Sequence, residues 1–162
     1  MNSVKLFFTT VLSVLLASTA ILAQEPAPKK EKPKFDAELA KRLGADKYGM
    51  KGYILAILKT GPKDKDIKGK ERSELFAGHL ANINRLADDG KLVVAGPFGK
   101  NDISFRGLFI LNVKTVEEAK KLTDTDPVIK AGILIVDLIP WFGTAALSEL
   151  YEIDKKIAES GF

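Results

Sequence analysis

The chain has 162 residues, enough for one domain with a core of its own plus a terminal extension, and 46% hydrophobic with 28% charged residues is an ordinary soluble composition. A net charge of +4 is too weak to imply a nucleic-acid partner. With no cysteine, disulfides, thiolate zinc sites and cysteine nucleophiles are excluded together, so packing alone must hold the fold.

Residues 1–23 read as a secretory signal peptide: Lys5 precedes an apolar run from Leu6 to Leu22 broken only by Thr and Ser, and Ala23 offers a small residue for cleavage before Gln24. The alternative is an uncleaved membrane anchor, since the run approaches the roughly 18 residues that a bilayer span takes. Removing the leader takes away one lysine and leaves 24 basic and 21 acidic residues, a net charge of +3. The expected address is outside the cytoplasm, periplasmic or secreted. Residues 24–35 contain "PAPKKEKPK", with three prolines and four lysines in nine residues, which reads as an extended, solvated linker. An exported linker no longer faces the anionic inner leaflet, so no membrane contact is expected after cleavage.

Residues 36–50 carry a short helix, "DAELAKRLG", with Asp36 as its N-cap and Gly44 past its end. The domain proper is read as 51–141. "KGYILAIL" (51–58) is a strand apolar on both faces, which places it centrally in a sheet covered twice. After a charged loop, the spacing of Leu75, Phe76, Leu80, Ile83, Leu86 and Ala87 predicts a helix over 70–89, stopped by Gly90. "KLVVAGPFG" (91–99) and "RGLFILNV" (106–113) are two further strands, joined through "KNDIS". Thr115 with Glu118 forms a capping box at the start of "VEEAKKL", and "DPVIKAG" adds one helical turn in which Asp126 is an N-cap and Pro127 the first helical residue. "ILIVDLIPW" (133–141) is the fourth strand, and residues 142–162 read as an amphipathic helical tail.

The order strand, helix, strand, strand, helix, strand is an α+β class, the ferredoxin-like βαββαβ sandwich with both helices on one face of an antiparallel sheet. That leaves an apolar sheet face to cover. A second copy of the chain, face to face in an isologous homodimer, is the expected cover; the alternative is the chain's own tail.

The single histidine, His79, falls on the apolar stripe of the long helix, where a buried ring needs a polar partner. Asp126 is the candidate, because both helices lie on one face and the end of the second can reach the side of the first. Such a carboxylate would fix the imidazole tautomer and make His79 a general acid or base near neutral pH. The alternative keeps His79 as a structural core residue and Asp126 as a cap alone. Gly78 is unusual inside a helix; close packing or open space beside the ring would explain it, and so would a glycine that is merely tolerated there.

"GHL" followed by "INRLADDGKLVVAGPFG", "RGLFILNVKTVEEAKKL", "DPVIKAG" and "IPW", in this order and spacing, resembles the YciI-like (YCII-related) family over about residues 51–141. The resemblance implies a dimeric α+β barrel and a histidine–aspartate active site mapping onto His79 and Asp126. It also implies kinship with enzymes that isomerise lactones or eliminate halide from ring compounds, with no cofactor. The leader, the "LGADKYGM" segment and the long tail depart from the family pattern, as does "DPV" where many members have "DPF".

Phe98, Arg106 and Trp141 are expected to shape the pocket, and Ser104 with Arg106 to orient an anionic substrate; the alternative for the last two is an exposed hairpin. Gly96-Pro97-Phe98-Gly99 lacks a lysine-serine pair and a following helix, so it is a turn and not a phosphate cradle. No metal-ligand cluster is visible in the sequence. The expected function is an exported, cofactor-independent lyase or isomerase acting on a small organic substrate. The alternative is a non-catalytic dimeric module that holds a small ligand.

Overall fold

The strand Met50–Thr60 (β1) organises the sheet. In the computed structural model, which describes residues 33–159, β1 lies between Phe105–Leu111 (β3) and Leu134–Thr144 (β4), while Leu92–Pro97 (β2) pairs with β3 at the far edge. Every neighbouring pair is antiparallel in the order β2-β3-β1-β4, consistent with the ferredoxin-like arrangement. The leader and all of the linker but its last three residues lie outside the described part. No helix among the described residues is long and apolar enough to cross a membrane.

Ala37–Leu43 (α1) begins at Asp36, whose carboxylate accepts from the Leu39 N–H at 2.9 Å. Gly69–Asp88 (α2) spans the helical face of the sheet. Val116–Thr123 (α3) starts at Thr115, whose hydroxyl accepts from the Glu118 N–H; Glu118 answers on the N–H of Lys114 rather than of Thr115 itself. Pro127–Lys130 (α4) follows after one tight turn. The core joins Ile54, Ala56 and Leu58 of β1 to Phe109 and Leu111 of β3, Ile83 and Leu86 of α2, Ala119 of α3 and Val128 of α4.

Alternation along the strands puts the odd-numbered residues of β1 on the other face. Tyr53 faces that way opposite Trp141, Leu55 lies between Ile110 and Ile139, and Ile57 lies beside Leu108. Ile135, Ile139 and Trp141 are 42%, 48% and 37% exposed, so this face is apolar and only partly covered within the chain.

The end of the chain differs from the helical tail expected over 142–162. β4 continues to Thr144 because Phe142, Gly143 and Thr144 find partners in Gly52, Lys51 and Met50. A 3-10 turn, Ala145–Glu149, then crosses the end of the open face, where Lys51 Nζ donates to Ser148 Oγ (2.8 Å) and Tyr53 Oη to the Thr144 carbonyl (2.9 Å). The helix itself is only Leu150–Ile157 (α5), and it settles beside edge strand β2, where Tyr151 Oη donates to Asp88 Oδ1 at 2.6 Å. The tail therefore leaves the middle of the open face bare.

Candidate functional site

His79 sits halfway along α2, on the side turned toward the sheet. The buried residues of that helix are His79, Asn82, Ile83 and Leu86, whereas Leu80, expected on the same stripe, is 38% exposed. A 3.6-residue period carries residues 79, 82, 83 and 86 to one side and turns residue 80 away. The imidazole lies near-parallel to the Phe109 ring of β3 and edge-on to Phe76, with ring centroids 6.0 and 5.9 Å away. Of its side-chain surface, 11% stays exposed, so the ring is enclosed without being sealed.

His79 Nδ1 lies 2.6 Å from Asp126 Oδ2, across the gap between α2 and α4. Asp126 is wholly buried and serves two partners: Oδ1 accepts from the Val128 N–H at 3.0 Å, capping α4, while Oδ2 meets the imidazole. A carboxylate only accepts, so the proton of this contact belongs to Nδ1 and the lone pair of the neutral ring to Nε2. Removing either member would strand a buried polar group, at a cost of about 1–3 kcal/mol.

What lets the two helices approach is Gly78. A Cβ built there would come 2.9 Å from Pro127 Cγ, so any side chain would push the start of α4 off α2. The close-packing explanation for this helical glycine is therefore the correct one.

One residue of this cluster carries no sequence signal beyond its position. Asn82, one turn after His79 and 8% exposed, accepts through Oδ1 from Arg85 Nη2 (2.8 Å) and lies 2.9 Å from the Thr125 hydroxyl, which also reaches the Leu122 carbonyl at 2.6 Å. Its Nδ2 is buried without a hydrogen-bond partner. The spacing of three from His79 on a helix was the available clue, but a lone asparagine at such a spacing usually marks a solvated face.

The remaining predicted residues are placed elsewhere. Trp141 does not join His79, which corrects the expectation that both shape one pocket. Trp141 pairs with odd-numbered Tyr53, whereas Phe109, under the imidazole, pairs with even-numbered Ala56, so the sheet itself separates them. The indole folds back over Gly143, where a Cβ would overlap it. Arg106 is the extra residue of a bulge in β3, between the pairs Leu58–Gly107 and Lys59–Phe105, and its Nε donates to Thr60 Oγ1 at 2.7 Å. Ser104 takes a left-handed backbone (φ 60°) and its carbonyl accepts from the Thr60 N–H, so it shapes the turn through its backbone. Phe98, 41% exposed, packs against Phe105 with the rings tilted by 40° and their centroids 5.7 Å apart, at the same end of the sheet. These three cluster around the ends of β1, β2 and β3, and none of them is a hydrogen-bond or ring partner of His79, whose partners among the described residues are Asp126, Phe76 and Phe109. Among the described residues no group of three or more His, Asp or Glu side chains comes together as a metal site.

A family model described as the YCII-related domain matches residues 53–142, more than half of the chain. This protein belongs to the YCII-related family. The matched YCII-related domain runs from Tyr53 in β1 to Phe142 in β4 and contains His79, Asn82, Thr125 and Asp126, while α1, the 3-10 turn and α5 lie outside it. No curated protein sequence matches the chain. Among solved structures it is similar to 5-chloro-2-hydroxyhydroquinone dehydrochlorinase from Burkholderia phenoliruptrix, solved in complex with 2,5-dihydroxybenzoquinone. That match has 25% identity over 55% of this chain and 90% of that chain, with a TM-score of 0.38.

Clefts open on the described residues, two of them away from the imidazole. The larger, about 680 Å³, lies where the YCII-related domain meets the C-terminal helix, between Ile83 and Ala87 of α2, Leu92–Ala95 of β2 and Leu150, Ile153 and Ile157 of α5. The smaller, about 270 Å³, lies beside Gly52, Lys114 and Phe142. His79 lines neither.

Proposed function

We propose that this YCII-related protein is a lyase or isomerase that moves a proton on a small organic substrate without a cofactor, with His79 as the acid/base. The observation that carries the reading is the 2.6 Å contact between His79 Nδ1 and a wholly buried carboxylate. Asp126 holds the ring in one tautomer and stabilises the imidazolium that forms when Nε2 takes a proton. That proton comes from a carbon next to an activating group. In a lyase the C–H electron pair becomes a new double bond as a leaving group departs with its own pair; in an isomerase the proton returns at a different carbon.

The same proposal places the protein outside the cytoplasm, on the strength of Lys5, the run Leu6–Leu22 and Ala23, and pairs it with a second copy through the open sheet face. A second reading, a dimeric module that binds a small molecule without turnover, is favoured by the larger cleft, which lies away from the imidazole.

The test compares wild type with His79→Gln and Asp126→Asn on a panel of lactones and of halogenated and hydroxylated ring acids. The enzyme reading expects turnover by wild type and a loss of about 100-fold or more in kcat for His79→Gln. Wild type that turns over no member of the panel, yet binds some of them, leaves the binding module.

A further inference from the structure

We infer that Asn82 is a positioning residue for the His79–Asp126 pair: its carbonyl ties the turn that carries Asp126 to α2 and so sets the direction from which the carboxylate meets the imidazole. The inference rests on the acid/base reading of His79 and deepens it.

Asp126 stands between two residues that anchor the α3–α4 turn to α2. On one side, the Pro127 ring presses on Gly78, with so little room that a Cβ would come 2.9 Å from it. That contact sets a distance between the helices, but a van der Waals contact leaves rotation about it free. On the other side, Arg85 Nη2 donates both to Asn82 Oδ1 (2.8 Å) and to Thr125 Oγ1 (3.1 Å), and the Thr125 hydroxyl, 2.9 Å from Asn82 Oδ1, shares its one proton between that oxygen and the Leu122 carbonyl (2.6 Å). These bonds are directional and remove the freedom that the proline contact leaves. The anchors on α2, at 78 and at 82 and 85, bracket His79 in the same way.

A guanidinium only donates, so the amide atom 2.8 Å from Arg85 is the oxygen and the amide cannot be turned over. This orientation is what leaves Nδ2 buried and unpaired. A side chain that only filled the space would be an apolar one such as leucine, of the same branched shape and with nothing to leave unsatisfied. Asparagine retains its carbonyl at the expense of an orphaned nitrogen, and the carbonyl faces both Arg85 and Thr125, the residue before Asp126. An unsatisfied buried group of this kind calls for a specific cause, and holding the turn supplies one.

The chain has one histidine, so a protein prepared without a histidine tag gives one imidazole in long-range ¹H–¹⁵N spectra. The variants are Asn82→Leu and Thr125→Val, with Thr125→Ser as the conservative control. Arg85 keeps its bond to Asp89 and the turn keeps its own backbone bonds, so both are compatible with the fold. Wild type and Thr125→Ser should show a single tautomer with Nδ1 protonated. Asn82→Leu and Thr125→Val should show mixed tautomers, exchange of the Nδ1 proton at least about tenfold faster, and, on any substrate found in the panel, kcat at least about tenfold lower with KM little changed.

Folded variants that keep the wild-type tautomer, exchange rate and kcat would overturn the inference, as would a wild type with mixed tautomers. If Asn82→Leu fails to fold, Asn82→Ala, read in the same way, decides, because Thr125→Val also removes the hydroxyl's bond to the Leu122 carbonyl. Should no substrate be turned over, the acid/base reading fails while tautomer and exchange still report on the clamp.

Discussion

His79 and Asp126 meet because a third residue is absent as a side chain. Gly78 costs its helix up to about 1 kcal/mol relative to alanine, and in return the first ring of α4 lies directly on α2. Gly78→Ala would recover the helix propensity and lose more, because forcing a methyl against Pro127 is overpacking of the kind that costs about 1–3 kcal/mol. The expected net result is a protein less stable by about 1 kcal/mol in urea unfolding, with the imidazole and carboxylate pushed apart and activity lowered with them. A Gly78→Ala variant more stable than wild type, with undiminished turnover, would show that Pro127 can give way and that the glycine is only tolerated. Asn82 shows the opposite case, a side chain present with half of its hydrogen-bonding capacity idle.

Among the elements, α4 does most with least. Its four residues and their N-cap bring Asp126 as a cap, Pro127 as a spacer and Val128 as a core side chain, so capping and facing the histidine are two uses of one carboxylate and not alternatives. α1 has no such anchoring: none of its residues is buried, and the fork between Arg42 and Glu149 (2.8 and 3.1 Å) holds it to the 3-10 turn. The hydrogen bonds from Arg42, aided by its charge and opposed by desolvation, hold the Glu149 carboxyl below its ordinary value. A carboxyl depressed in the folded state contributes stability above its unfolded value, near 4.5, and loses it as pH falls through the folded value. Amide resonances of α1, followed from about pH 6 to about pH 3, should therefore leave their docked positions at the acid end in wild type. In Glu149→Gln they should lie away from those positions throughout; docked positions kept by this variant would mean that other contacts hold α1.

For the whole molecule, the open sheet face is the surface through which the proposed homodimer would form. Leu55, Ile57 and Leu108 in its middle are half-buried, Ile135 and Ile139 at the β4 edge are exposed, and the 3-10 turn covers only the end near Tyr53. An apolar sheet face of this extent suits a second sheet packed about 10 Å away. Ile139→Asp puts a charge where the protomer already meets water, so the fold should survive and the dimer should not. Sedimentation should find wild type at twice the protomer mass and the variant at the protomer mass. A wild type that sediments as a single chain would reject the pairing, and Trp141, the only tryptophan, gives the same answer through its emission on dilution.

The order of elements, the central place of β1 and the caps at Asp36, Thr115 and Asp126 were determined by the sequence, because each depends on residues a few positions apart: a period of two or of 3.6, a hydroxyl or carboxylate before a helix, a glycine after one. His79 and Asp126 could be brought together on paper because the topology puts both helices on one face. Three things were decided only by the tertiary structure. Trp141 fell on the far side of the sheet because its face is set by cross-strand register with Tyr53, which local spacing does not encode. β4 outran its expected end because its last residues are strand only by virtue of pairing with Met50, Lys51 and Gly52. Asn82 joined the buried cluster because Thr125, 43 positions away, supplies its partner, and a hydrogen bond across that separation exists only once the chain has folded.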